Sequence, residues 1–179
     1  AYKAPVHKIH DFEVGPTLGA EAVQSGKISL VVGFTLVVIF MLIYYRRSGI
    51  YADVALLLNL VFILAVLVSL NAALTLPGMA GIVLTVGMAV DANVLIFERI
   101  REELRAGKSP RAAIEQGYGR AFWTIFDANI TTALAGIILM KFTSGPIYGF
   151  AVTLLIGIVS SMFTAIVVTR MFFDRIVAK

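Results

Sequence analysis

The chain contains no cysteine, so neither a disulfide framework nor a thiolate metal site can be built from it. Charge is also scarce. Asp, Glu, Lys and Arg make up 15% of its 179 residues, against about a quarter in an ordinary soluble domain. The two histidines, His7 and His10, sit close together near the start. They read either as ligands or as solvated side chains of an edge strand. No glycine-rich phosphate loop, metal-ligand cluster or nucleophile–base arrangement occurs in the sequence. An enzymatic activity therefore has no candidate site, and no cofactor or metal is expected. One further absence is local. Neither Lys nor Arg occurs between Ala52 and Glu98, so a carboxylate in that stretch, Asp91, has no basic sequence neighbour.

What the chain does have is apolar surface, 59% of its residues, with a mean hydropathy of +0.91. This falls in five blocks, at about 28–45, 54–70, 76–97, 122–140 and 147–169. Each is near the ~20 residues a helix needs to cross a bilayer. The expected fold is all-α, a polytopic membrane bundle of five transmembrane helices. Residues 1–27 are polar and mixed. Pro5 to Val14 alternates like a half-exposed strand, and the GPTLG run at Gly15–Gly19 reads as a break. No signal-peptide pattern precedes the first block. The opening stretch is expected to be the tail of an external domain, and the chain a segment of something longer.

Eleven of the fifteen Lys and Arg residues fall on the side that holds the loops after the first and third spans and the C-terminus. They include Arg46, Arg47, Arg99, Arg101, Arg105, Lys108, Arg111 and Arg120. By the positive-inside rule that side is cytoplasmic, with the N-terminus outside and the C-terminus inside. The basic balance is thereby a topology signal, and a nucleic-acid partner loses its motive. The third helix is expected to continue past the membrane, with Glu98/Arg101 and Glu102/Arg105 spaced to pair. Gly107 is placed as a C-terminal cap, and Ser109-Pro110 restarts a helix. The result is a cytoplasmic helical hairpin at about 98–121.

Asp91 lies fourteen residues after Pro77, roughly 21 Å along a helix and so within the bilayer. An unpaired carboxylate in hydrocarbon costs about 3 kcal/mol or more, and such residues usually face a helix bundle, pair, or carry protons. Two readings stand: a proton-carrying group on a helix interface, or an Asp hydrogen-bonded to a neighbour merely to fix packing. Gly81 and Gly87 are small enough to let another helix approach. The triplet Asp-Ala-Asn occurs twice, at Asp91–Asn93 and Asp127–Asn129. Asp91, Asn93, Asp127, Asn129 and Thr131 could together form a polar, water-accessible entrance. Alternatively Asp127 caps the fourth helix near its positive end, the reading favoured here.

The run LTLPGMAGIVLTVGMAVDANVLIFERIREELRAGKSPRAAIEQGYGRAFWTIFDANITT resembles the SecD/SecF family of bacterial protein-export membrane proteins, on its SecD side. The upstream GPTLGAEAVQSG and the final SGPIYGFAVTLLIGIVSSMFTAIVVTRMFF fit the same family. The resemblance implies a member of the resistance-nodulation-division superfamily, with the topology of that superfamily. It implies that this chain is the C-terminal part that follows a large external domain. It also implies an inner-membrane subunit of the Sec translocase that uses the proton motive force to assist export, with Asp91 as the proton-coupling carboxylate. The implied partners are the homologous SecF bundle, the SecYEG translocon, YajC, membrane lipids, and a preprotein reached through the external domain. The rivals are a superfamily exporter of lipids or small molecules, and a non-conducting membrane scaffold.

Overall fold

The computed structural model describes residues 16–72 and 74–177, and all regular structure among them is helical. The strand expected between Pro5 and Val14 lies outside the described residues. In chain order the elements are α1 (Pro16–Tyr45), α2 (Arg47–Ser69), α3 (Leu76–Arg105), α4 (Pro110–Phe142) and α5 (Pro146–Phe163). A π-helical turn at Thr164–Val168 and α6 (Thr169–Val177) follow without a break. Among the described residues, five rods are long and apolar enough to cross a membrane, the last being Pro146–Arg175.

Most boundaries lie outside the apolar blocks. α1 begins at Pro16, so the GPTLG run does not end the helix but opens it. Proline's fixed φ suits a first turn, where its missing N–H costs nothing. Only Arg46, at φ 50°, separates α1 from α2. The expected loop therefore shrinks to one residue, and Arg47 to Gly49 are already helical. Gly49 permits this turn, because a Cβ there would lie 2.2 Å from the Met41 carbonyl oxygen.

α3 occupies the centre and packs against α1, α2, α4 and α5, most extensively against α5. Its start is set by Thr75, whose Oγ1 accepts from the Gly78 amide at 3.1 Å and donates to the Pro146 carbonyl at 3.1 Å. One side chain thus caps α3 and ties it to the head of α5. Along the α3–α5 seam, glycines on each helix face threonines on the other. A Cβ at Gly81 would fall 2.2 Å from Thr153 Oγ1, and one at Gly157 would fall 2.2 Å from Thr85 Cγ2. Glycine is required there by close approach.

The larger core cluster, including Met41, Leu56, Val86, Ile96, Phe97, Ile125 and Phe173, lies toward the α3–α4 hairpin. A smaller one, Ile63, Leu67 and Ile82, lies toward the other end. Outside these, large apolar side chains are exposed all round the bundle, Ile43, Val68 and Phe142 among them. That is the surface a bilayer covers.

The hairpin is formed by the adjoining ends of two long helices, α3 and α4. Ser109 caps α4 by accepting from the Ala112 amide, with Pro110 as first helical residue, and Gly107 takes a positive φ of 83°. α4 then runs unbroken for 33 residues. Asp127 is therefore in mid-helix, and the expectation that it caps a fourth span is overturned. No proline interrupts the stretch, and Gly117 is held by packing, since a Cβ there would meet the Ile100 backbone at 3.0 Å.

Candidate functional site

At 100° per residue, positions two apart on a helix point to nearly opposite sides. Both Asp-Ala-Asn triplets follow this rule in the same sense. Asp91 and Asp127 are exposed, while Asn93 and Asn129 are buried. Each triplet thus turns an acid outward and an amide inward.

On α3, Asp91 shares its outward face with Gly87, Leu84 and Ala80, all exposed. Gly87 has open space where a Cβ would stand. It contributes nothing to packing within the chain, in contrast to Gly81. The Asp91 side borders a cleft of about 230 Å³ between α3 and α4, lined also by Met88, Leu95, Ala128, Asn129 and Thr132. The ion pairs among the described residues all lie on the hairpin or on α6, and none includes Asp91.

Inside the bundle, Asn93 Nδ2 donates to the Ala89 carbonyl at 3.2 Å. Thr169 Oγ1 lies 3.0 Å from Asn93 Oδ1 and 3.1 Å from the Thr164 carbonyl, two acceptors for one hydroxyl proton. Thr164 and Thr169 bracket the π turn, where the ordinary helical bonding is displaced. Single π turns of this kind occur mostly at functional positions. Asn129 Nδ2 donates to the Ile125 carbonyl at 2.7 Å, and its Oδ1 has no partner. Thr131 and Thr132 donate back to the Asp127 and Ala128 carbonyls at 3.0 and 3.1 Å.

Of the five residues that could have formed one polar entrance, the structure brings Asp91 and Asn129 to the same cleft. Asp127 and Thr131 lie exposed on α4 and do not line it, and Asn93 is enclosed behind it. Thr132, not Thr131, completes the lining. Sequence reasoning also passed over Thr169, whose role depends on the π turn. It missed Asp53 on α2 as well, whose two carboxylate oxygens are enclosed and have no hydrogen-bond partner. Asn59, fully buried on the same helix, reads from the sequence as an interhelical hydrogen-bonding group, but its side-chain amide is unpaired. The signal for Asp53 was present, since it stands one residue before the second apolar block.

At the hairpin, Arg101 pairs with Glu98 at 3.0 Å as expected, but Glu102 turns back to Arg99 at 2.7 Å rather than forward to Arg105. The ionic centre is Glu103, which spacing did not reveal. It is buried and receives Lys108 from the turn and Arg120 from α4, the latter at 2.7 Å. The Lys108 hydrogen bond, helped by the Arg120 charge and opposed by burial, holds the Glu103 carboxyl below its ordinary range.

Comparison with known proteins adds lineage to this geometry. The family model described as "Protein export membrane protein SecD/SecF, C-terminal" matches residues 1–177. A protein translocase subunit SecD from Rhodothermus marinus is 58% identical over 177 residues, 99% of this chain and 28% of that protein. The SecD subunit of Syntrophobacter fumaroxidans is 54% identical over the whole chain, which spans 34% of it. The chain thus covers about a third of the length of such relatives. The crystal structure of SecDF, a translocon-associated membrane protein from Thermus thermophilus, superposes with a TM-score of 0.89 at 46% identity, covering 92% of this chain and 23% of that one.

Proposed function

This chain belongs to the SecD/SecF protein-export family, as part of its C-terminal membrane region, and on that premise we propose that it is the coupling segment of a Sec translocase accessory subunit driven by the proton motive force. Asp91 is the group that exchanges the proton. The observation that supports this most is its placement: a carboxylate on the outward face of the central helix, beside a bare glycine, with no ion pair to a cation among the described residues. Left against lipid it would cost several kcal/mol, so a second bundle must cover it. The homologous SecF bundle is the partner of matching shape, and SecYEG with YajC the assembly it serves. The hairpin end, rich in Lys and Arg, is cytoplasmic.

Moving one charge through 100 mV is worth about 2.3 kcal/mol, enough to bias a two-state movement. In this reading protonation of Asp91 changes how α3 sits against the covering bundle. The change passes to Asn93, two residues on, and through Thr169 to the π turn. The preprotein is handled elsewhere in the full-length protein, and this segment performs no covalent chemistry.

The test is Asp91→Asn in the full-length subunit with its partners. The substitution keeps size and hydrogen bonding but cannot titrate. Gradient-dependent stimulation of preprotein export should be lost while the subunit still assembles. Export at the parent rate would leave Asp91 as a packing group and the chain as a scaffold.

A further inference from the structure

A second cleft, of about 440 Å³, opens on the opposite side of α3 from Asp91, at the hairpin end. Its floor is apolar, formed by Phe97, Ile100, Ile114 and Phe173 from α3, α4 and α6, with Leu104 and Pro110 toward the rim. Two arginines stand in its wall, Arg47 from α2 and Arg101 from α3, together with Ser48, Tyr45 and Tyr51. Arg101 is held in place. Its guanidinium lies 5.1 Å from the Tyr45 ring centre and 5.5 Å from that of Tyr44, and one N–H reaches Glu98 Oε1, which also accepts from the Tyr45 hydroxyl. A guanidinium carries five N–H donors, so this single bond leaves most of the fork free. Arg47 has no ion-pair partner among the described residues.

The depth of the cleft matters as much as its charge. Tyr45 and Phe97 close the first and third apolar blocks, whereas Arg101, Leu104 and Pro110 lie beyond the hydrocarbon. The cleft therefore straddles the level of the lipid headgroups, with Phe97 and the Phe173 ring packed on it at the edge of the hydrocarbon, and Arg101, Ile100 and Ile114 just beyond it. A soluble anion would satisfy the arginines but leave the floor wet. Basic pockets between membrane helices are a known mode of recognising anionic headgroups.

We propose that this cleft is a binding site for an anionic phospholipid. The phosphate is taken by Arg47 and the free edge of Arg101, and the first part of an acyl chain lies on Phe97 and Phe173. The site is independent of Asp91 and does not rest on the export reading.

The experiment uses the protein in nanodiscs of phosphatidylcholine, with and without phosphatidylglycerol, followed by native mass spectrometry of retained lipid. Three variants are compared: Arg47→Ala, which removes the unpaired cation; Leu104→Trp, which fills the cleft from its exposed rim without changing charge; and Arg111→Ala, an exposed hairpin arginine outside the cleft. Arg47→Ala is expected to lower retained phosphatidylglycerol about fivefold, the equivalent of the roughly 1 kcal/mol that one basic residue contributes at an anionic surface. Leu104→Trp should lower it too, Arg111→Ala should not, and phosphatidylcholine retention should stay level throughout. Equal losses in Arg47→Ala and Arg111→Ala would mean diffuse surface attraction and overturn the site. So would unchanged retention in both cleft variants. Displacement of the lipid by glycerol phosphate alone would make a soluble phosphate compound the ligand and overturn the lipid assignment.

Discussion

Asp91 and Asn93 stand two positions apart and have opposite fates, one facing outward from the bundle and the other locked into its interior. Under the coupling role proposed above, the outward acid exchanges its proton at the surface of the bundle, and the enclosed amide registers the resulting shift of the helix that carries both. Thr169→Val tests the second half of this pairing. Valine has nearly the shape of threonine, but it leaves Asn93 Oδ1 without its donor in a buried setting, while the Thr164 carbonyl keeps the backbone N–H of residue 169. A loss of about 1–3 kcal/mol is expected, read as a lower thermal unfolding midpoint in detergent. If Asn93 carries the signal from Asp91, the same variant also weakens gradient-dependent export while export without a gradient is spared.

Between helices, two contacts make contrasting predictions. The α3–α5 seam is steric. Gly157→Ala places a methyl group 2.2 Å from Thr85 Cγ2, so the helices must separate or shift along most of their contact. Overpacking of this kind costs about 1–3 kcal/mol, and the unfolding midpoint should fall accordingly. The α3–α4 hairpin is electrostatic. Glu103 is held by Lys108 and Arg120, and its carboxyl titrates below its ordinary value of 4.5. A folded value lower than the unfolded one means that the contribution is complete above the ordinary glutamate range. It disappears as the pH falls through the lowered value. Protection of the Arg105–Ala113 amides from hydrogen exchange, relative to their intrinsic rates at each pH, should therefore fall at acid pH in the parent. In Glu103→Gln the protection should already be lower at neutral pH and respond little to acid. A parent hairpin equally protected at both pH values would show that the pair contributes nothing.

For the bundle as one body, the question is which of its apolar surfaces meets lipid and which meets another helix bundle. The face of α3 that carries Ala80, Leu84, Gly87 and Asp91 combines small residues with a charge. Most of the remaining surface is large and aliphatic. Gly87→Trp separates the two possibilities. Nothing in the chain lies within 4 Å of a Cβ there, so the isolated segment should keep its unfolding midpoint. Association with a SecF-type bundle should be lost, as read by co-purification of the two. Retained association would move the interface to another face and weaken the case for Asp91 as the shared group.

Much of this architecture was legible in the order of residues, and some of it was not. Five apolar runs can satisfy their backbone in a bilayer only as helices, so the number of spans and the hairpin after the third followed directly. Helix ends were harder to read. Pro16 opens a helix where the GPTLG run reads as a break, and α4 passes through Asp127 where the sequence also offers a cap. In both places local chemistry permits either outcome. The placement of Asp91 and Asn129 on one cleft, the hold of Thr169 on Asn93, and the convergence of Lys108 and Arg120 on Glu103 bring together residues from 5 to 76 positions apart. Periodicity places residues on a common face of one helix. It carries no information on how far that helix is rotated against its neighbours, because the rotation is set by side-chain packing summed over all the contacts. The sequence by itself determined the membrane-spanning helices and the presence of an acid among them; only the packed bundle decided that this acid looks outward.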